Sequence, residues 1–223
     1  GAHAGTLGTG VTWVTGKFGS ALQFDGSGDA TSKVTFPMGA GDVGGALSLS
    51  LWIKQNAAGG QLVSNKTAAT AAGYELYSSA NDKAVFWRGS GSSVGTNDVT
   101  PSWAAHNWHH IVLTFDGSDT NNSRMYADGT FRGHVTIDQV SNGSGALTLG
   151  QSPGGGNLFE GVLDDLRIYQ KALSGSEVAA LYGAGAGDFE VTVAGNSAIV
   201  KQAGQVTLTA HAPGSDVMFA APP

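Results

Sequence analysis

The sequence predicts an all-β protein, an antiparallel sandwich, and three observations carry that reading. Short segments of alternating apolar and polar residues recur along most of the 223 residues, the period-2 pattern of half-buried strands. Glycine is abundant, with 35 residues, while charged residues make up only 13%, so tight turns are favoured over long helices. The segments are joined by short turn-rich stretches, which suit antiparallel neighbours rather than parallel crossovers.

In chain order the predicted strands are 20–26 (SALQFDG), 46–55 (ALSLSLWIKQ), 60–66 (GQLVSNK), 74–79 (YELYSS), 83–89 (KAVFWRG), 107–117 (NWHHIVLTFDG), 123–135 (SRMYADGTFRGHV), 146–152 (ALTLGQS) and 159–170 (FEGVLDDLRIYQ). Within 123–135, Asp128-Gly129 between two strand-like arms signals a two-residue hairpin turn. One short helix is predicted near residues 174–182. Ser174 and Glu177 form a capping box, Val178 and Leu181 give an apolar stripe, and Gly183 ends it. GAGAG (183–187) reads as a linker. Residues 188–223 resume strand alternation, as the start of a second β module or as strands added to the first. The predicted division is 1–183 for the sandwich and 184–223 for the linker and C-terminal β segment.

The chain is long enough to bury a core unaided, and it contains no cysteine, so neither disulfides nor thiolate metal sites contribute. A net charge of −6 without a basic run argues against nucleic acid and anionic membranes. No apolar run reaches the ~20 residues of a membrane span.

One stretch conflicts with its own pattern. In strict alternation Val162, Asp164, Leu166 and Ile168 share one face of a strand, and Leu163, Asp165, Arg167 and Tyr169 share the other. The first set is the more apolar, which aims Asp164 into the interior. The loop FDGSGD (24–29) places Asp25 and Asp29 around flexible glycines that can turn carbonyl oxygens inward. Calcium takes 6–8 such oxygen ligands, although this spacing is not that of an EF-hand.

The sequence resembles the laminin-G-like jelly rolls of the concanavalin A-like lectin/glucanase superfamily over residues 5–182. The resemblance rests on GKFGSALQFDGSGD (16–29), LSLSLWIK (47–54), LVSNK (62–66), NWHHIVLTFDG (107–117), MYADG (125–129), LTLG (147–150) and, most specifically, FEGVLDDLRIYQKALSGSEVAALY (159–182). It implies a two-sheet jelly roll, commonly with a structural Ca²⁺ at its rim, in which the early FDG loop meets the late Asp pair. Asp25, Asp29, Asp164 and Asp165 are then the candidate metal ligands. It implies a piece of a longer, secreted or cell-surface bacterial protein, with Trp52 and Trp108 in core positions.

Catalysis is not expected. Retaining glycosidases need two carboxyl groups ~5–5.5 Å apart, and the glucanase branch supplies them from Glu-x-Asp-x-x-Glu on one strand. None of Glu75, Glu160, Glu177 and Glu190 is followed two positions later by an acidic residue, as that motif requires. Tyr74, Tyr77, Arg88, Tyr126 and His134 are the parts a lyase would need, but no local motif joins them. His109 and His110 point to opposite faces of their strand and cannot chelate one ion. The reading is a non-catalytic carbohydrate-binding or adhesion module, with Trp87, Arg88, Trp103 and Asn107 as candidate ligand-binding residues. The alternatives are a spacer domain without a ligand and, further off, a polysaccharide hydrolase or lyase.

Overall fold

The computed structural model describes residues 4–28, 31–39, 45–68, 72–78, 84–89, 106–117, 123–134, 145–152, 155–184, 191–194 and 197–200. Its strands are β1 (Thr6–Leu7), β2 (Val11–Thr15), β3 (Ser20–Asp25), β4 (Val34–Met38), β5 (Leu47–Gln55), β6 (Gly60–Ser64), β7 (Gly73–Ser78), β8 (Ala84–Gly89), β9 (Trp108–Phe115), β10 (Arg124–Ala127), β11 (Thr130–His134), β12 (Ala146–Leu149) and β13 (Glu160–Tyr169). Helix α1 (Gly175–Ala184) follows, and then β14 (Val191–Ala194) and β15 (Ser197–Val200).

Two antiparallel sheets form the sandwich. One has six strands in the order β1-β4-β12-β6-β7-β8, the other seven in the order β11-β10-β9-β5-β13-β3-β2. Alternation divides each strand between two faces. In β5, Leu47, Leu49, Leu51 and Ile53 enter the core between the sheets, where they meet Phe24, Leu62, Tyr74, Leu76, Ile111, Leu113, Phe115 and Phe159. Ser48, Ser50 and Trp52 project from the outer face of the seven-stranded sheet. Strands β14 and β15 pair with each other as a separate two-stranded sheet.

The predicted strands agree with the observed ones to within three residues at each end, apart from 123–135, which is a hairpin of two strands. Its turn has positive φ at both Asp128 (52°) and Gly129 (71°), as a two-residue hairpin of the mirror-image type requires. The capping box is also present: Ser174 N–H donates to Glu177 Oε2 at 2.7 Å, and Glu177 N–H to Ser174 Oγ at 3.3 Å. The helix runs through Gly183 to Ala184. Three strands fall outside the predicted set. β1 has only two residues, β4 contains Pro37, a residue that argues against a strand, and β2 is a sheet edge with mostly exposed residues.

The main departure lies in β13. Asp164 pairs with Trp52 and Arg167 with Ser50, so Asp165 and Leu166 together face the single residue Leu51. This is a β-bulge, and Asp165 adopts a left-handed φ of 48° to make it. The extra residue shifts the alternation by one. Leu163 before the bulge and Leu166 and Ile168 after it all pack against the inter-sheet core. Asp164 therefore lies on the outer face with its register partner Trp52, not in the core. The expectation of unbroken alternation is corrected here, because it did not allow for an inserted residue.

Candidate functional site

Asp164 is almost wholly buried on that outer face, and protein donors satisfy it. Oδ2 accepts the N–H of Phe18 at 2.9 Å and Oδ1 the N–H of Asp165 at 2.8 Å. Burial outweighs these hydrogen bonds and holds its carboxyl above the usual carboxylate range. Asp165 turns away to Arg167, with Oδ1 2.8 Å from Nε. Asp25 pairs across the sheet with Glu160, four residues before Asp164 on β13, a separation of about 13 Å along an extended strand. Hydrogen bonding from the Ser27 N–H, 2.9 Å from Oδ1, holds Asp25 below its ordinary pKa. Asp29 lies outside the described residues. Among the described residues no group of three or more His, Cys, Asp and Glu side chains is placed to hold a metal. Asp164 and Asp165, engaged by their own neighbours, do not fit the part of calcium ligands beside Asp25.

The WHH segment serves packing. His110 is 2% exposed, its Nε2 lies 2.9 Å from Ser50 Oγ, and its ring stacks on Trp52 at 5.0 Å between centroids. Tyr182 of α1 stacks on the same Trp52 at 5.6 Å, and Phe18 meets it edge-on. Beside this stack Val178 and Leu173 pack on Val112 and Tyr126. Burial pushes the pKa of His110 down to about 4. His109 points the other way and pairs with Asp128, Nδ1 to Oδ2 2.8 Å. Trp52 is thus buried beneath the helix rather than between the sheets. Trp108 is only half-buried, with the Lys54 ammonium 5.3 Å from its ring.

Of the candidate ligand-binding residues, only Asn107 has a described side chain. Trp87 and Arg88 lie on β8, in register with Glu75 and Tyr74, and their side chains are outside the described residues, as is all of Trp103. Asn107 is exposed at the start of β9, in the other sheet. The described candidate lyase residues lie apart from one another. Tyr74 is buried in the inter-sheet core, Tyr126 packs under α1, and His134 is exposed on the edge strand β11.

A cleft does open at one rim, with a cavity volume of about 460 Å³, lined by Ala58, Gly59, Gly60, Tyr77, Ser78, Asn157 and Leu158. That size falls in the usual range for small-molecule sites. Three separate stretches of chain build it, and hydrogen bonds pin them together. Gln55 donates its amide to the Ala57 carbonyl at 2.6 Å and accepts the Ser78 hydroxyl at 2.7 Å. Gln61 N–H donates to the Asn157 carbonyl at 2.7 Å. Gly60 has φ +118°, and a Cβ there would stand 2.5 Å from Phe159 Cα, so only glycine allows this approach. Asn157 has φ 41°, a conformation asparagine tolerates better than most residues. The described lining residues carry no formal charge. Tyr77 supplies an aromatic ring and Asn157 an exposed amide, while the Ser78 hydroxyl is engaged with Gln55.

Sequence reading named Tyr77 only as a lyase part and did not name Asn157 or Gly60. The available signals were the glycine pairs Gly59-Gly60 and Gly155-Gly156 just ahead of β6 and β13.

Two antiparallel sheets face to face, with the last long strand inserted between β3 and β5, define a jelly-roll sandwich. The chain belongs to the concanavalin A-like lectin/glucanases superfamily, whose family profile matches residues 26–179. No curated protein matches the sequence. Among solved structures, the binding domain of Paraclostridial Mosquitocidal Protein 1 superposes with a TM-score of 0.67 at 17% identity, over 82% of this chain and 47% of that one. Domain 4 of AbnA, a GH43 extracellular arabinanase from Geobacillus stearothermophilus, solved with arabinotriose, gives 0.64 at 23% identity, over 80% and 87%. The botulinum neurotoxin serotype G binding domain gives 0.62 at 12%, over 82% and 46%. The chain thus spans about half of the two toxin domains and most of the arabinanase domain. At these identities the likeness is one of fold.

Proposed function

We propose that this domain is a non-catalytic carbohydrate-binding module of a larger secreted or cell-surface protein, and that the rim cleft holds the sugar. The observation that carries the reading is the cleft's described lining, in which the Tyr77 ring stands with the exposed Asn157 amide against bare glycine backbone. An aromatic face suits the apolar side of a sugar ring, amide and hydroxyl groups suit its hydroxyls, and glycines let it approach the main chain. The similar arabinanase domain, solved with arabinotriose, supports this class of ligand.

A binding role also fits the carboxylates. Asp25 and Glu160 are register partners, but both are exposed and Asp25 is held below its ordinary pKa. A glycosidase acid needs its pKa raised. Asp164, which is raised, is buried against backbone donors. Calcium has no part in this reading, because the strand half of the expected site is internally satisfied.

Isothermal titration against arabinotriose, xylotriose, cellotriose and sialyllactose tests the proposal, with Tyr77→Ala and Asn157→Ala as controls. Binding of a neutral oligosaccharide, weakened at least tenfold by Y77A without loss of fold, is the expected result. No binding across the panel would overturn it in favour of a spacer domain, and reducing ends released from any polysaccharide would restore the hydrolase reading.

A further inference from the structure

Among the described residues, β1, β8, β11 and β2 end the two sheets of the sandwich, and all but β2 are blunted. β1 has only two residues. β8 carries Arg88. β11 carries Arg132 and His134, and its pairing with β10 is bulged between Met125 and Tyr126. Short length, charge, proline and bulges are the usual means by which an edge strand avoids pairing with another chain. The β2 sequence VTWVT has no charge and no proline. It pairs with β3 over all five residues without a register shift, and it leaves Trp13 48% exposed.

Two hydrogen bonds fix which way the main chain of β2 faces. At one end the Gly16 N–H donates to the Gly19 carbonyl at 2.9 Å, and at the other the Asp25 N–H donates to the Gly10 carbonyl at 3.1 Å. Bonded and non-bonded pairs alternate along an antiparallel ladder. Thr12 and Val14 therefore bond to β3, while Val11, Trp13 and Thr15 turn their main chain toward the edge. The Val11 N–H goes instead to the Gly8 carbonyl, 3.1 Å away. Trp13 lies opposite Leu22, which packs against the inter-sheet core, so the Trp13 ring projects on the core side of the sheet at its margin.

We propose that β2 is a self-association edge, through which two copies of this chain pair antiparallel about a two-fold axis at Trp13 and join their seven-stranded sheets. The register that uses all the edge-facing residues sets Trp13 against Trp13 and Val11 against Thr15. The two Trp13 residues then exchange N–H and carbonyl, and each Thr15 N–H meets the Val11 carbonyl of the other copy. Like charges directly opposite one another destabilise a strand pair, and this register brings none together: Thr12 faces Val14, Gly10 faces Gly16 and Lys17 faces Thr9. That symmetry about Trp13 favours a second copy over an unrelated strand. The two rings stand side by side on one face, with Cα atoms ~5.5 Å apart, as an aromatic cross-strand pair. Five residues a side fall well short of the ~20–30 of a standard interface, so the dimer is weak, with a dissociation constant in the micromolar range or above. The inference does not depend on the glycan reading.

Sedimentation velocity of the full chain, from micromolar to millimolar concentration, tests the proposal. The native chain is expected to pass from monomer to dimer and no further. Trp13→Lys sets two ammonium groups against each other at the axis, and Thr15→Pro removes only an edge-facing N–H, a place where an edge strand tolerates proline. Each should weaken the dimer by about tenfold or more, while Phe131→Lys on the opposite edge should leave it unchanged. Because the chain has no cysteine, Trp13→Cys gives an independent readout. Mild oxidation should produce a covalent dimer, since a bonded pair ~5.5 Å apart lies within disulfide reach, whereas Phe131→Cys should stay monomeric. The cross-link and T15P decide the matter even if W13K fails to fold. A chain that remains monomeric throughout, one that grows beyond a dimer, or a dimer as tight in T15P as in the native chain would overturn the proposal. So would a dimer lost in F131K.

Discussion

The carboxylate of Asp164 accepts the main-chain N–H of Phe18 at 2.9 Å, joining the β2–β3 turn to the final long strand across 146 residues. Asp164→Ala leaves that N–H and the N–H of Asp165 without their acceptor, a cost of about 1–3 kcal/mol. Thermal melts should show the same loss in calcium and in EDTA; a loss confined to calcium-containing buffer would make Asp164 a metal ligand after all. The sign of the pH effect follows from its raised pKa. The unfolded chain ionises first, so the contribution of Asp164 is fully present below the unfolded value near 3.8 and declines as pH rises through the folded value. Asp164→Asn should flatten that decline.

How much of this was legible in advance can be judged from β13. Its existence, its length and the capped helix after it follow from local pattern, because the capping box and apolar stripe are encoded within a few residues. The bulge does not. Placing Leu163 and Leu166 in one core needs the partner strand β5, and no rule within 160–169 announces an inserted residue. The cleft is hidden for a related reason: Gly60, Tyr77 and Asn157 lie on three stretches that meet only once both sheets have formed. Trp52 was correctly read as buried, but which face it occupies depends on a helix 130 residues further along the chain.

His110 makes acid sensitivity predictable. Its pKa is about 4 in the fold against 6.5 as the ordinary value, with burial as the first cause. Between those values the unfolded chain binds more protons, so stability is present above pH 6.5 and is lost as pH falls toward 4. The loss attributable to this side chain is roughly 3 kcal/mol. Melting temperatures between pH 4 and 8 should show the slope, and His110→Gln should reduce it.

The bulge makes a backbone prediction at Asp165, whose φ is 48°. Asp165→Gly removes the Arg167 ion pair but relieves the left-handed backbone, and the two effects nearly cancel. Asp165→Val loses the ion pair and places a β-branched residue where it is strongly disfavoured, so it should destabilise by about 2 kcal/mol or more. Chemical denaturation of the two variants side by side gives the comparison.

A similar test applies where the hairpin touches the helix. Gly129 has φ +71°, and a Cβ there would stand 2.9 Å from Tyr182 Cδ1. Gly129→Ala is expected to cost about 1–2 kcal/mol from the backbone alone and to displace Tyr182 from Trp52. A change in tryptophan emission accompanying the lower melting temperature would report that displacement.

The order β9-β5-β13-β3 also bears on how the chain is made. The strand that completes the middle of the seven-stranded sheet is the last of the sandwich strands to leave the ribosome, and both its neighbours, β3 and β5, emerge more than a hundred residues earlier. Until residue 169 is available, those two strands face each other across a vacant lane with open hydrogen-bonding edges. Such long-range closure makes folding slow, and it leaves a synthesis intermediate whose exposed strands invite wrong pairing. Truncation anywhere before β13 should therefore yield an aggregating chain rather than a smaller sandwich.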